Sequence, residues 1–255
     1  DHVQTGIIGG VDRMLTDDFG AGVFGGFARG VLTAAVPYGQ EMKTGTYFGG
    51  GYGRFERDAY QVGVSLTGGF IHYDSLRQIT DNRVDGDTLV DAVEEHDGYF
   101  ISPEITFARD SFEIGGRAVR PSATLRYTRF FAEGFTETGV AEGGIVAGER
   151  THNIIDTRFQ LSTPVETAME SSVLELRTGI DGRYAAGGTF DATLLGTTTA
   201  GFDPGGSGFD IGVFAGLDFS RTFSNSGRLI ASGEFGTGSD AAARASARLG
   251  YEMDF

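Results

Sequence analysis

Four histidines, His2, His72, His96 and His152, are the side chains best suited to proton transfer or metal ligation near neutral pH. They are scattered, and none has the close spacing of a zinc-ligand pair. A serine–histidine–acid site requires nucleophile and base to meet at one strand end; His72 and His152 are the candidates, and no local pattern marks either. A protease site built from an aspartate pair and a His–Asp pair does not assemble from this chain. The run Asp81-Asn82-Arg83-Val84-Asp85-Gly86-Asp87 lacks the regular spacing and distal glutamate of a calcium loop and reads as a solvated connection. There is no cysteine, which excludes thiolate sites and disulfides. No phosphate-binding loop or nucleotide fingerprint is present. The sequence therefore assigns no catalytic, cofactor or metal site and predicts a protein that is not an enzyme.

The remaining chemistry is charge, and its placement is periodic. Twenty Lys and Arg against 35 Asp and Glu leave a net charge of -15, a poor balance for binding nucleic acid. Charged residues recur at every second position opposite apolar ones, which in a strand puts them on one face. That face collects Glu104, Arg120, Arg126, Arg158, Glu175, Arg177, Asp181 and Arg183, then Asp210, Asp218, Arg244, Arg248, Glu252 and Asp254. Facing lipid, an arginine near the bilayer midplane costs roughly 2–4 kcal/mol, so the set is expected to line a lumen. Four of its carboxylates, Asp210, Asp218, Glu252 and Asp254, are expected to contact a polar or basic segment in transit.

The elements that position this face are eleven period-2 segments, near residues 3–15, 19–32, 44–56, 59–76, 98–109, 112–132, 151–163, 171–186, 207–222, 227–236 and 241–255. Tyr60, Val62, Val64 and Leu66 alternate with Gln61, Gly63, Ser65 and Thr67, for example. Connections alternate in length. Thr16–Asp18, Glu56–Asp58, Arg109–Ser111, Pro164–Glu170 and Phe223–Ser226 are short; Thr33–Lys43, Arg77–Asp97, Glu133–Arg150 and Gly187–Gly206 are long. Antiparallel hairpins put these sets at opposite ends, the pattern of short periplasmic turns and longer extracellular loops. Phe19, Phe55, Tyr60, Phe107, Phe112, Phe219, Phe223 and Phe255 crowd the short-turn end, as an interfacial aromatic girdle does. No apolar run reaches the ~20 residues of a transmembrane helix, and Asp1–Gly10 has no signal-peptide character. The predicted fold is all-β, a transmembrane antiparallel barrel over residues 1–255. Barrels of one chain have even strand numbers and periplasmic termini, so eleven readable strands predict twelve in all, with a first strand upstream.

Tyr251, Met253 and Phe255 end the last strand with an apolar face, as in the C-terminal strands of outer-membrane barrels that the assembly machinery reads. Pro121, Leu125 and Tyr127, then Phe135, Glu137 and Gly139, resemble the mid-barrel pattern of the translocator domain of classical (type V) autotransporters. Thr5–Gly30 looks like that family's second-to-third strand hairpin. The resemblance implies a monomeric barrel in the bacterial outer membrane that anchors and exports an N-terminal passenger. Its partners would be membrane lipid, the barrel assembly machinery, and the chain's own passenger and linker helix. Two rivals differ in function: a stand-alone channel or structural barrel, and a hydrolase with its site at the extracellular rim.

Overall fold

The computed structural model describes residues 2–34, 39–81, 88–140, 144–167, 169, 171–188, 190–194, 198–202, 208–223, 227–239 and 243–253. These form sixteen strands and, among the described residues, no helix. Eleven make one antiparallel sheet in chain order: β1 (His2–Met14), β2 (Phe19–Ala34), β3 (Gln40–Arg57), β4 (Tyr60–Asp81), β5 (Thr88–Arg109), β7 (Arg117–Ala132), β10 (Arg150–Val165), β11 (Ser172–Gly187), β14 (Gly208–Thr222), β15 (Gly227–Gly238) and β16 (Ala243–Met253). The short β6 (Phe112–Ile114) continues β5 and pairs with β7. A second, four-stranded sheet of β8 (Phe135–Thr136), β9 (Val146–Ala147), β12 (Phe190–Leu194) and β13 (Thr198–Phe202) is built from the long connections. Each wall strand matches one period-2 segment, and the two longest gaps between wall strands, after β7 and after β11, fall where long connections were expected.

Two details differ from expectation. The chain does not reverse at Arg109–Ser111. Ile114 faces Arg117, so the turn is Gly115–Gly116, with φ of 60° and 77°. A two-residue hairpin turn with both central residues at positive φ suits this pair, and the segment 112–132 is thereby two strands. The long connections Thr33–Lys43 and Arg77–Asp97 also prove to be mostly strand, because β2–β3 and β4–β5 keep pairing out to Ala34↔Gln40 and Asp81↔Thr88. Apolar–polar alternation ends where lipid ends; the hydrogen-bonded ladder does not.

The protein has no conventional core. Among the described residues, the buried apolar ones are five alanines and Phe214, whereas Val64, Leu66, Ile105, Phe159, Val213 and Leu249 are exposed. An apolar outer surface of this kind is what a lipid-facing wall requires. On β4 the outward band runs from Tyr60 to Phe70, ~33 Å along the strand, or about 25 Å of membrane at the usual tilt. Above it the same face turns polar with His72 and Asp74. Aromatic pairs mark both edges: Tyr60–Phe107 at the short-turn end, Phe70–Tyr99 and Phe27–Tyr47 at the other.

On the inward face, large rings lie over glycines of the adjacent strand. Phe100 covers Gly69, Phe24 covers Gly50 and Phe214 covers Gly179. A side chain at Gly179 would overlap the Phe159 carbonyl oxygen and sit 2.8 Å from the Phe214 ring. Gly179→Val is therefore expected to lower barrel stability by about 1–3 kcal/mol. Gly233→Ala, at a position open to 4 Å, should leave it unchanged. Thermal loss of the compact, heat-modifiable band in detergent gels measures both.

Candidate functional site

Strand alternation sets the side chains of Glu104, Arg126, Asp156, Arg158, Asp181, Arg183, Asp210 and Arg244 on the same, inward face of the sheet. Register then decides which meet. Arg126 faces Glu104 across β5–β7 and bonds it through Nε at 2.7 Å. Arg183 faces Asp156 across β10–β11 at 3.0 Å. Arg244 reaches Asp210 at 2.5 Å, and the Ser239 amide donates to the same carboxylate at 2.8 Å. Arg228 lies 3.7 Å from Glu252. Arg120 donates to the Gln61 amide oxygen rather than to an acid. A cleft of about 280 Å³ runs across this face, lined from β7 to β16 by residues that include Arg126, Asp181 and Arg244.

The densest group lies between β10 and β15. Arg158 ion-pairs Glu234 at 2.5 Å with its guanidinium 3.6 Å above the Phe214 ring centre. Arg177 approaches both Glu234, at 3.3 Å, and Asp218, at 3.4 Å. One carboxylate thus serves two guanidinium groups while an aromatic face supports one of them, an arrangement that favours Arg over Lys. Glu234 and Phe214 were not singled out from sequence. Glu234 shares its face with Arg228 and Ser232, so strand parity was the available signal; Phe214 interrupts the glycine-and-aspartate side of its strand.

Carboxylates expected to be available to a transiting segment are largely engaged within the wall: Asp210 by Arg244, Asp218 by Arg177 and Glu252 by Arg228. Among the described residues, Glu175, Asp181 and Arg248 make no ion pair. Asp254 and Phe255 lie outside the described residues, as does most of the Asp81–Asp87 run. Tyr251 and Met253 stand exposed on the outward face of β16.

The histidines are dispersed. His2 lies on edge strand β1, and His152 stacks against Phe130. His72 bonds Asp97 at 2.8 Å just above the outward apolar band; the hydrogen bond to the carboxylate raises its pKa against the effect of burial. His96 is buried above the membrane level, between the rings of Tyr73 at 4.6 Å and Phe135 at 5.1 Å. Its Nδ1 meets Glu94 at 2.7 Å and Nε2 meets Arg150 at 2.8 Å. Burial lowers the Arg150 pKa, against the pull of Glu94. Nearby, the Arg77 guanidinium donates twice to Glu137, which also accepts from the Ile145 amide. These contacts hold the 133–149 connection against the inner side of the β4–β5 extension, closed by the Val93–Thr138 bridge. Among the described residues, neither His72 nor His152 bonds a serine.

Apolar side chains outward, paired charges inward, short turns at one end and paired extensions at the other define an outer-membrane β-barrel wall. Comparison with known proteins makes this specific: residues 1–230 match the autotransporter β-domain family, and the chain belongs to it. The translocator domain of autotransporter NalP from Neisseria meningitidis superposes with a TM-score of 0.76 at 16% identity, covering 100% of this chain and 80% of that one. The β domain of the Bordetella autotransporter BrkA gives 0.67 at 17% identity, covering 100% and 91%. No curated protein sequence matches. The chain is an outer-membrane translocator barrel, the module that anchors and exports a tethered passenger.

Removing the shared carboxylate of the Arg158–Glu234–Arg177 group should expose its contribution. Glu234→Gln is expected to destabilise the folded barrel by about 1–2 kcal/mol, discounted for partial hydration of the group. In a double-mutant cycle, Arg158→Met should recover part of that loss, whereas additive effects would show that the two side chains act independently.

Proposed function

We propose that residues of the inward face line the export path and that Glu175, Asp181 and Arg248 contact the passenger or its linker. The observation that carries this reading is the division of the inward charges. Eight arginines of that face, including Arg126, Arg158 and Arg244, are held by carboxylates of the wall or its loops, so they brace the structure. Glu175, Asp181 and Arg248 have no such commitment and are the groups that can exchange water for a passing segment.

The sheet's two edges, β1 and β16, each have one neighbour. Unpaired strand edges are not tolerated in hydrocarbon, where backbone N–H and C=O groups have no water to bond. We infer that one further strand joins β1 to β16 and completes a twelve-stranded, monomeric barrel, with Tyr251, Met253 and Phe255 presenting the apolar end that the assembly machinery reads. In this reading the barrel is not itself an enzyme. His72 and His96 serve as hydrogen-bonded structural groups.

The test is passenger display by the full-length protein. Combined Glu175→Gln, Asp181→Asn and Arg248→Gln should slow surface appearance of the passenger several-fold while barrel heat-modifiability is retained. Unchanged export kinetics with a folded barrel would reject the contact role.

A further inference from the structure

Most inward arginines of this wall meet a carboxylate, Arg120 and Arg248 being the exceptions among the described residues, whereas a set of outward ones meets none. Inward, Arg54, Arg77, Arg126, Arg158, Arg177, Arg183, Arg228 and Arg244 all meet carboxylates. Outward, Arg13, Arg29, Arg57, Arg109, Arg129 and Arg221 meet none among the described residues. Four of these outward cations instead stand over a phenylalanine at a rim of the apolar band: Arg29 over Phe27, Arg129 over Phe131, Arg109 over Phe112 and Arg221 over Phe223, at 4.9–5.9 Å from the ring centres. A chain with a net charge of -15 has carboxylates in excess, yet it leaves these cations without one.

At the short-turn rim two of them flank one tyrosine. Arg57 pairs with Tyr60 across β3–β4, and Tyr60 pairs with Arg109 across β4–β5. Directly opposed residues project to the same face, so both guanidinium groups and the phenol stand outward in one row. The two arginine Cα atoms are roughly 10 Å apart, twice the interstrand spacing, a gap that long side chains span from either side. All three residues are exposed. Below Tyr60, toward mid-membrane, Val62, Val64 and Phe107 continue an apolar surface, with the Tyr60 and Phe107 rings 5.6 Å apart. Asp58, in the β3–β4 turn, and Asp110, between β5 and β6, form no ion pair with either arginine among the described residues.

We propose that Arg57, Tyr60 and Arg109 form a headgroup site for an anionic phospholipid of the leaflet at the short-turn rim. Two guanidinium groups and a hydroxyl converge on the phosphate, and the acyl chains run along the Val62–Val64–Phe107 surface. Arginine presents a planar fork of N–H donors to phosphate oxygens, and the low dielectric of the neighbouring hydrocarbon strengthens the contact. Lipid is the chosen phosphate source because the cation pair sits at the top of an apolar track, while the cleft that Tyr60 lines on its other side carries Glu56, Asp58 and Asp110, which disfavour a free anion. The inference uses only the membrane location of the family and stands whether or not Glu175, Asp181 and Arg248 touch the passenger.

The test uses the full-length protein in mixed bilayers of phosphatidylglycerol and phosphatidylcholine, with bound lipid counted by native mass spectrometry. The wild type should retain phosphatidylglycerol over phosphatidylcholine by about thirtyfold, as expected for two cations at an anionic surface. Combined Arg57→Gln and Arg109→Gln should bring that preference close to unity, and Arg57→Lys with Arg109→Lys should retain part of it. Arg54→Gln, an inward change, should leave the preference intact. The heat-modifiable gel shift in phosphatidylcholine alone confirms that each variant is folded. No preference in the wild type, or an equal loss in Arg54→Gln, overturns the proposal. Displacement of the lipid by soluble glycerol phosphate would also overturn it, because the site would then read free phosphate.

Discussion

Hydrocarbon offers a peptide group nothing to bond with, and the organisation of this protein follows from that constraint. Every wall strand inside the sheet has two neighbours, so most of its N–H and C=O groups are consumed by the ladder, which between β5 and β7 skips Ser102 and Pro103, the latter with no N–H to donate. Once the backbone is closed in this way, side chains are free to reverse the usual rule. Large apolar groups face outward, and burial is left to alanine, small polar residues and a few rings laid over glycines. Stability therefore resides in the ladder and in contact with lipid rather than in a packed interior.

The same inversion governs charge. An arginine on the outward face within the membrane band has only lipid to answer it, whereas most inward ones find a carboxylate one or a few strands away. Arg158, Arg177 and Glu234 show how the wall economises, with one acid serving two cations from neighbouring strands. Such pairs are hydrated enough that each contributes modestly, yet together they fix side chains that would otherwise extend into the path. What remains uncommitted is a short set of residues, and selectivity toward a passing chain can reside there without endangering the fold.

Much of the wall was legible in the sequence because lipid imposes a strict period of two. Tyr60–Leu66 and Phe209–Phe219 announce both their strands and their faces. The turn at Gly115–Gly116 was obscured because Phe112 and Ile114 continue the alternation across it, and only positive φ at both glycines marks the reversal. The far part of the β4–β5 extension, beyond Leu76 on β4 and before Gly98 on β5, was read as a connection for a different reason. Above the lipid the outward face meets water and the inward face buries polar groups such as Glu94 and His96, so Arg77–Asp81 and Thr88–Asp97 carry no amphipathic signal. Ion-pair partners were the least legible feature. Parity places Glu234 on the inward face, but register alone brings it to Arg158, three strands away in the wall.

The extension also explains why the most buried ionisable groups among the described residues lie outside the membrane band. Above the lipid, β5 runs on past the end of β7, and its freed edge is taken up by the 133–149 connection through the Val93–Thr138 bridge. That pairing carries Phe135 and Glu137 onto the inner side of the extension, where His96 and Arg77 wait in register on β5 and β4. His96, enclosed by two rings and bonded at both nitrogens, then fills the role that an apolar core residue fills in a soluble domain, because the aqueous mouth supplies too few apolar side chains to bury. A ladder that outlasts the membrane thus needs a polar core of its own, and Glu94, His96, Arg150, Arg77 and Glu137 provide it.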